Sequence, residues 1–361
     1  MSDTETDVLI RVRGKWGHIT LNRPRALNAL TDAMCDTISD ALGMWAQDDA
    51  IVGVLIDGAG ERAFCAGGDI RALYEASRAG DYARPAAFFA REYRLNTRIA
   101  RFPKPYVALM DGITMGGGVG LSAHGAYRVV TERTMLAMPE VGIGFFPDVG
   151  ATFLLGRVPG ELGVHVALTA GRLSGEDAIA IDLADFYTPS ARLGDLRDAL
   201  LESSDPKAVP AILGNATETP PSSALAAMRS LITKSYSYGS IEEILAALDA
   251  SGIDAAREAA AAIRQQSPFA VKLSLRALRA ARRIGVLEPC LDQEYRLALR
   301  GIRTHDFIEG VRAAVVDKDR NPRWSPATLE AVDDAAVDAC FESLGDAELG
   351  LAAAELTTIE S

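Results

Sequence analysis

The chain has 361 residues, 48% of them apolar, which is enough for one large domain or one domain with an appendage. Its 37 Lys and Arg against 49 Asp and Glu give a net charge of −12, which argues against nucleic acid or an anionic membrane as the main partner. No apolar run approaches the ~18–20 residues of a membrane span, and the acidic opening MSDTETDVLI has no basic n-region of a signal peptide, so a cytoplasmic protein is expected.

In chain order, DVLIRV (7–12) and WGHITL (16–21) read as a hairpin around Gly14, and the segment from Leu21 to Asp48 carries apolar residues at helical spacing after a Pro-Arg start. IVGVLIDG (51–58) is a buried strand ending in a glycine turn. KPYVALMDG (104–112) and YRVVTE (127–132) repeat that pattern. Strand, loop and helix in succession imply an α/β architecture with sites at strand ends. From about Ser222 the pattern changes. Segments 222–234, 240–250, 254–265, 269–285 and 289–303 have helical spacing and are separated by turn signals, and the final DAELGLAAAELTTIES reads as a loose tail. The four cysteines have no CxxC spacing and the four histidines form no HxxH or HxxxH pair, so neither structural zinc nor a disulfide framework is expected.

The stretch GITMGGGVGLSAHG, Gly112 to Gly125, demands an explanation. Gly118-x-Gly120-x-x-Ala123 imitates a dinucleotide fingerprint, but ITM separates it from the strand and it opens no βαβ pair. Ser122 sits in GLSAH and not in the G-x-S-x-G of a nucleophile elbow. No Gly-Lys-Ser or Gly-Lys-Thr follows, which removes a phosphate-binding P-loop. The remaining reading is an oxyanion hole, in which backbone N–H groups, left open by glycine, meet a developing negative oxygen. Such a hole generally needs two donors, and AFCAGGDI (63–70) provides a second glycine-rich strand end.

LNRPRALNAL, AFCAGGDI, GITMGGGVGL and MPEVGIGFFPDVG, in this order, resemble the crotonase (enoyl-CoA hydratase/isomerase) superfamily. FFAREYRLN, DQEYRL and THDFIEGVRAAVVDKDRNPRWSP look like its 3-hydroxyisobutyryl-CoA hydrolase branch. The resemblance implies a crotonase-like ββα spiral core over 1–215 holding an acyl-CoA site, a helical C-terminal region over 216–345 packing on it, and the tail at 346–361. It implies that the N–H groups of Gly68 and Gly117 hold the thioester oxygen. Hydratases of the family have one glutamate three residues beyond the middle glycine and another in a later P-E segment. Here the first position is Gly120 and the second is Glu140, so the two-carboxylate water clamp is missing and hydrolysis suits the remaining acid. Glu140 is then nucleophile or general base, and Asp148 a second catalytic acid. Glu92 is matched to the group that accepts a hydrogen bond from the acyl hydroxyl, while Arg25, Ala26, Leu27, Asp69 and Ile70 match segments along the CoA nucleotide.

His124 reads as a packed helix residue. Cys65 lies beside the hole without a basic neighbour to activate it. Lys318 either reaches a CoA phosphate or pairs with its flanking aspartates. The implied activity is hydrolysis of a short branched β-hydroxyacyl-CoA in valine breakdown, with no metal or redox cofactor, CoA entering as part of the substrate. The rivals are an enoyl-CoA hydratase or isomerase and a non-catalytic acyl-CoA-binding relative. A homo-oligomer is implied only as one option, because the family often forms trimers and hexamers and a long helical extension could cover those surfaces.

Overall fold

The computed structural model describes residues 6–352. Its contacts gather into two compact units that interleave along the chain: one comprises the residues up to Gly68, Arg94–Ala137 and Leu173–Ala226, the other Asp69–Tyr93, Met138–Arg172 and the residues from Ala227 onward.

The first unit is built on β1 (Val8–Arg13) and β2 (Trp16–Leu21), an antiparallel hairpin as the alternation predicts, followed by α1 (Asp32–Gln47) and β3 (Gly53–Gly58). Thr31 starts α1 by accepting the Met34 N–H. β4 (Ala63–Cys65) leads toward α2 (Ile70–Arg78) and α3 (Ala83–Ala100), within which the division between the units falls. β5 (Tyr106–Met110), β6 (Ile113–Met115), α4 (Gly117–Ser122), β7 (Tyr127–Val130) and β8 (Met135–Ala137) complete the glycine-bearing part.

β2, β3, β5 and β7 run parallel, and Phe186–Tyr187 extends their sheet beyond β7. β5 is buried at every position, which is why it reads as a continuous apolar run. One face of the sheet presents Trp16, Leu55, Val107, Leu109 and Val129 to Leu196, Leu200, Val209 and Leu213 of the helices Leu193–Glu202 and Val209–Ala216. β4, β6 and β8 form a second parallel layer.

The second unit is mostly helical. The helix expected at 222–234 appears as two pieces, Ala224–Ala227 and Arg229–Tyr236, and the others appear at Ile241–Ala250, Asp254–Gln265, Pro268–Ile284 and Leu287–Gly301, two of them with side-chain caps, at Ser240 and Ser267. α5 (Ala151–Arg157) packs against Pro268–Ile284, where Arg282 donates to the Gly156 carbonyl and shares Glu161 with Arg279. Most of the tail expected at 346–361 falls in residues 353–361, outside the described residues; Leu351 and Ala352, just before them, are held by N–H bonds to Asp292.

The motif THDFIEG gains a structural meaning here. The helix His305–Val311 presses on the 3-10 turn Glu140–Ile143 so closely that a Cβ on Gly310 would stand 2.4 Å from the Ile143 carbonyl carbon. At Gly144, which has φ +70°, a Cβ would stand 2.2 Å from the Asp306 carbonyl oxygen. Asp306 is itself fixed by the Ser267 hydroxyl and the Ser325 N–H. Gly144→Ala and Gly310→Ala should therefore each destabilise the protein by about 1–3 kcal/mol, read as a lower thermal midpoint, whereas Gly214→Ala, with open space around its Cβ position, should not.

Candidate active site

In the first unit the two glycine-rich strand ends lie side by side. Leu30 N–H donates to the Gly67 carbonyl at 2.8 Å, and the peptide is trans, so the Gly68 N–H on the same peptide plane points away from Leu30. At Gly116 the carbonyl accepts from Val119 and Gly120 N–H groups along α4, so the Gly117 N–H points out of the start of the helix. A Cβ on Gly67 (φ +104°) would lie 3.6 Å from the Gly117 nitrogen, which brings the two peptides together.

The glycines are also packing requirements. A Cβ on Gly118 would meet the Cys65 carbonyl oxygen at 2.2 Å. Ser122 spends its hydroxyl on the Gly118 carbonyl within the helix, consistent with rejecting a nucleophile elbow. Cys65 is buried, forms no disulfide and directs its thiol to the Gly67 carbonyl. His124 falls past the end of α4, in the turn after Ala123, and not inside a helix as expected, because the helix stops at Ser122.

Arg25 and Ala26 lie in the 3-10 turn Pro24–Ala26, and Leu27 follows with φ 52°. Buried Asn28 anchors this turn by donating to the carbonyls of Ala59 and Ala63. Arg25 and Leu27, together with Pro24, Gly60 and Arg62, line a cavity of about 190 Å³; Ala26 is exposed and is not part of its lining. Asp69 caps the start of α2 and Ile70 is its first residue, both half-buried in the second unit. Lys318 lies in a turn at φ 59°, and both flanking aspartates, Asp317 and Asp319, go to Arg312.

The second unit holds Glu92, Glu140 and Asp148, each under 9% exposed. Two residues not singled out from the sequence join them, Tyr93 and Glu294, both fully buried. The Tyr93 hydroxyl donates to Asp148 Oδ2 at 2.7 Å. Glu294 accepts from the N–H of Gly150 at 2.6 Å, the N–H of Thr152 at 3.0 Å and the Thr152 hydroxyl. Glu140 Oε2 is buried and makes no hydrogen bond within the protein.

Burial raises the pKa of Glu140, Asp148 and Glu294 by penalising their charged forms. Glu140 is held well above the usual carboxylate range, by burial first and then by the charge of Asp148. Asp148 is pushed up to about 7 by burial, against the Tyr93 hydrogen bond, which favours its ionised form. Glu294 is pushed up to about 8 by burial, against its Thr152 and Gly150 donors. Groups this close titrate together. Among the described residues there is no cluster of His, Cys, Asp and Glu arranged to hold a metal ion, and no helix long and apolar enough to cross a membrane.

A missed signal was present in the sequence. Glu92-Tyr93-Arg94-Leu95 recurs as Glu294-Tyr295-Arg296-Leu297. Both copies bury the Glu-Tyr pair, and the Tyr93 and Tyr295 rings meet edge to face at 6.4 Å.

The sequence model of the family described as enoyl-CoA hydratase/isomerase matches residues 16–341. The chain is 43% identical to the 3-hydroxyisobutyryl-CoA hydrolase, mitochondrial, of Gallus gallus over 97% of its own length and 92% of the relative's. A solved structure titled as a carnitinyl-CoA dehydratase from Mycobacterium thermoresistibile has a TM-score of 0.91 and 47% identity, covering 96% of this chain and 98% of that one. Another, titled as an enoyl-CoA hydratase from Rhodobacter sphaeroides, has a TM-score of 0.89 and 43% identity, covering 95% and 99%. The chain belongs to the enoyl-CoA hydratase/isomerase family, and its fold is the expected crotonase-like core with a helical C-terminal region. The cytoplasmic expectation is overturned: the curated relatives are named as mitochondrial proteins. Charge balance and the lack of a basic opening say what surface a protein tolerates, not which compartment holds it.

The raised acids predict how stability depends on pH. Asp148 and Glu294 keep protons in the folded state that the unfolded chain has already lost, so the stability they contribute is present below the ordinary carboxylate pKa and disappears as pH rises through about 7 to about 8. Thermal unfolding followed from pH 5 to pH 9 should show a falling midpoint, and Asp148→Asn, which cannot titrate, should show a shallower fall.

Proposed function

We propose that this protein hydrolyses 3-hydroxyisobutyryl-CoA to 3-hydroxyisobutyrate and CoA, as a step of valine breakdown. The observation that carries the reading is the contrast between Gly120, buried in α4 with no side chain to offer, and Glu140, a buried acid with an open oxygen. It is supported by 43% identity to a hydrolase of that name along nearly the whole chain.

The N–H groups of Gly68 and Gly117 receive the thioester oxygen as it gains negative charge, each donor contributing about 3 kcal/mol in the transition state. Glu140 acts at the carbonyl carbon, either as a nucleophile that expels CoA and leaves a mixed anhydride for water to open, or as the base that takes a proton from an attacking water. In both routes the C–S bond breaks, CoA departs as the thiol and water supplies the new carboxyl oxygen. Asp148 is the second acid, and Glu92 accepts the hydrogen bond of the acyl hydroxyl. Arg25, Ala26, Leu27, Asp69 and Ile70 flank the CoA nucleotide. The reading uses no metal or redox cofactor and includes a homo-oligomer, which sedimentation velocity tests.

The competing reading is a hydratase or dehydratase, and the titles of the two structures at 43–47% identity favour it. The burial of Asp148 and Glu92 in the same unit as Glu140 gives it a physical basis, since a neighbouring acid could replace the missing glutamate.

One assay separates the two. With 3-hydroxyisobutyryl-CoA and a thiol-reactive dye the protein should release free thiol, and with crotonyl-CoA the conjugated absorbance should stay nearly constant. Loss of that absorbance without thiol release would make the protein a hydratase. Thiol release at similar rates from many acyl-CoAs would keep the reaction and reject the substrate.

Two variants test the assigned groups. Glu140→Gln should lower kcat by about 10²-fold or more. Gly117→Pro removes one N–H at a helix position that accepts proline, and should lower kcat by about 10²–10³-fold with the fold intact. A folded Gly117→Pro protein of near-parental activity would remove that donor from the mechanism.

A further inference from the structure

We infer that Glu294 is a positioning residue that holds Asp148 in its working orientation, and this inference rests on the hydrolase reading above. The turn that carries Asp148 is strained. Val149, directly after it, has φ 54°, and Gly150 has φ 81°. A β-branched residue in the left-handed region costs on the order of 1–3 kcal/mol and persists only where its surroundings over-determine it.

The local chain supplies only part of that constraint. Ala151 N–H returns to the Asp148 carbonyl at 2.8 Å, closing the turn, but the N–H groups of Gly150 and Thr152 at the start of α5 have no carbonyl a turn earlier to receive them. Glu294 receives both, one on each oxygen, and takes the Thr152 hydroxyl as well. It is fully buried in the helix Leu287–Gly301, far away in sequence. A buried carboxyl group matched by three donors fixes the backbone that presents them, because any displacement of the turn leaves buried polar groups unpaired.

The other side of Asp148 is held by the Tyr93 hydroxyl. Asp148 is thus gripped twice, through its backbone turn by Glu294 and through its carboxyl group by Tyr93. Charged and titratable groups in this part of the unit include Glu92 and Tyr93 on α3, Glu140 on its 3-10 turn, and Cys290 on the same helix as Glu294. Both Glu294 oxygens already accept hydrogen bonds from the turn. Its effect on the reaction passes through Asp148.

The shape of Glu294 matters as much as its charge. Glutamine has one acceptor oxygen and would point an NH₂ group at one of the two N–H donors. Thr152→Val removes one donor and keeps the volume, while Thr152→Ser keeps the hydroxyl.

The test measures thiol release from 3-hydroxyisobutyryl-CoA by the parent, Glu294→Gln, Thr152→Val, Thr152→Ser, Asp148→Asn and the double variant Asp148→Asn with Glu294→Gln. Glu294→Gln should lower kcat about 10-fold or more with KM within about threefold. Thr152→Val should lower kcat about threefold or more, and Thr152→Ser should restore it. In the Asp148→Asn background, Glu294→Gln should cost less than about twofold, because the group it serves is gone. Equal losses in both backgrounds, or a Glu294→Gln protein of parental kcat, would overturn the inference. If Glu294→Gln does not fold, the Thr152 pair decides in the same way. If the parent releases no thiol, the hydrolase reading has failed by itself. The positioning claim is then judged by the infrared carboxyl band that Asp148→Asn removes: its titration must move in Thr152→Val and return in Thr152→Ser, and an unmoved band would reject it.

Discussion

Taking a carboxylate out of water costs several kcal/mol unless donors or a proton compensate, and the second unit does this with Glu92, Glu140, Asp148 and Glu294 at once. Each of the last three is compensated differently. Glu294 is matched by three donors from the start of α5. Asp148 has the Tyr93 hydroxyl on one oxygen. Glu140 keeps an oxygen with no hydrogen bond from the protein. A carboxylate whose acceptors are all used can only hold structure, whereas one with an open oxygen is available to a substrate or a water. The backbone around Glu140 is correspondingly rigid, with Gly144 and Gly310 packed against carbonyl groups so closely that no side chain fits.

Much of this was legible in the sequence. The hairpin, the parallel strands and most of the C-terminal helices follow from alternation and 3.6-residue spacing, while the segment expected as one helix over 222–234 is broken at Met228. The paired glycine segments were legible because glycine is required where backbone meets backbone: Gly118 lies against the Cys65 carbonyl, and Gly67 lies beside the Gly117 nitrogen. What periodicity could not reveal was pairing across long separations. Glu294 meets Gly150 across 144 positions, and on its helix it follows the same spacing as any core residue. The repeated Glu-Tyr-Arg-Leu was the available signal, and both of its Glu-Tyr pairs are buried in helices. The interleaved division of the chain was hidden for the same reason, because a run of helical spacing does not say which unit it joins.

The two units contribute different kinds of chemistry, and this bears on how the reaction type is read. The first offers backbone N–H groups, whose direction is set by peptide geometry and whose exposure is set by missing side chains. Such donors polarise any thioester and do not choose among hydrolysis, hydration and dehydration. The second holds the buried acids Glu92, Glu140, Asp148 and Glu294. Overall identity averages over both contributions. It is 47% to a structure titled as a dehydratase and 43% to a protein named as a hydrolase, a difference spread over hundreds of positions. The reaction turns on a few of them. Position 120 is glycine, so no side chain there can share the work of the buried acids, and burial keeps those acids protonated to higher pH, Asp148 to about 7 and Glu140 well above the usual carboxylate range. A buried acid acts as a base or nucleophile only after losing its proton, so which reaction such groups support depends on pH as well as on their number.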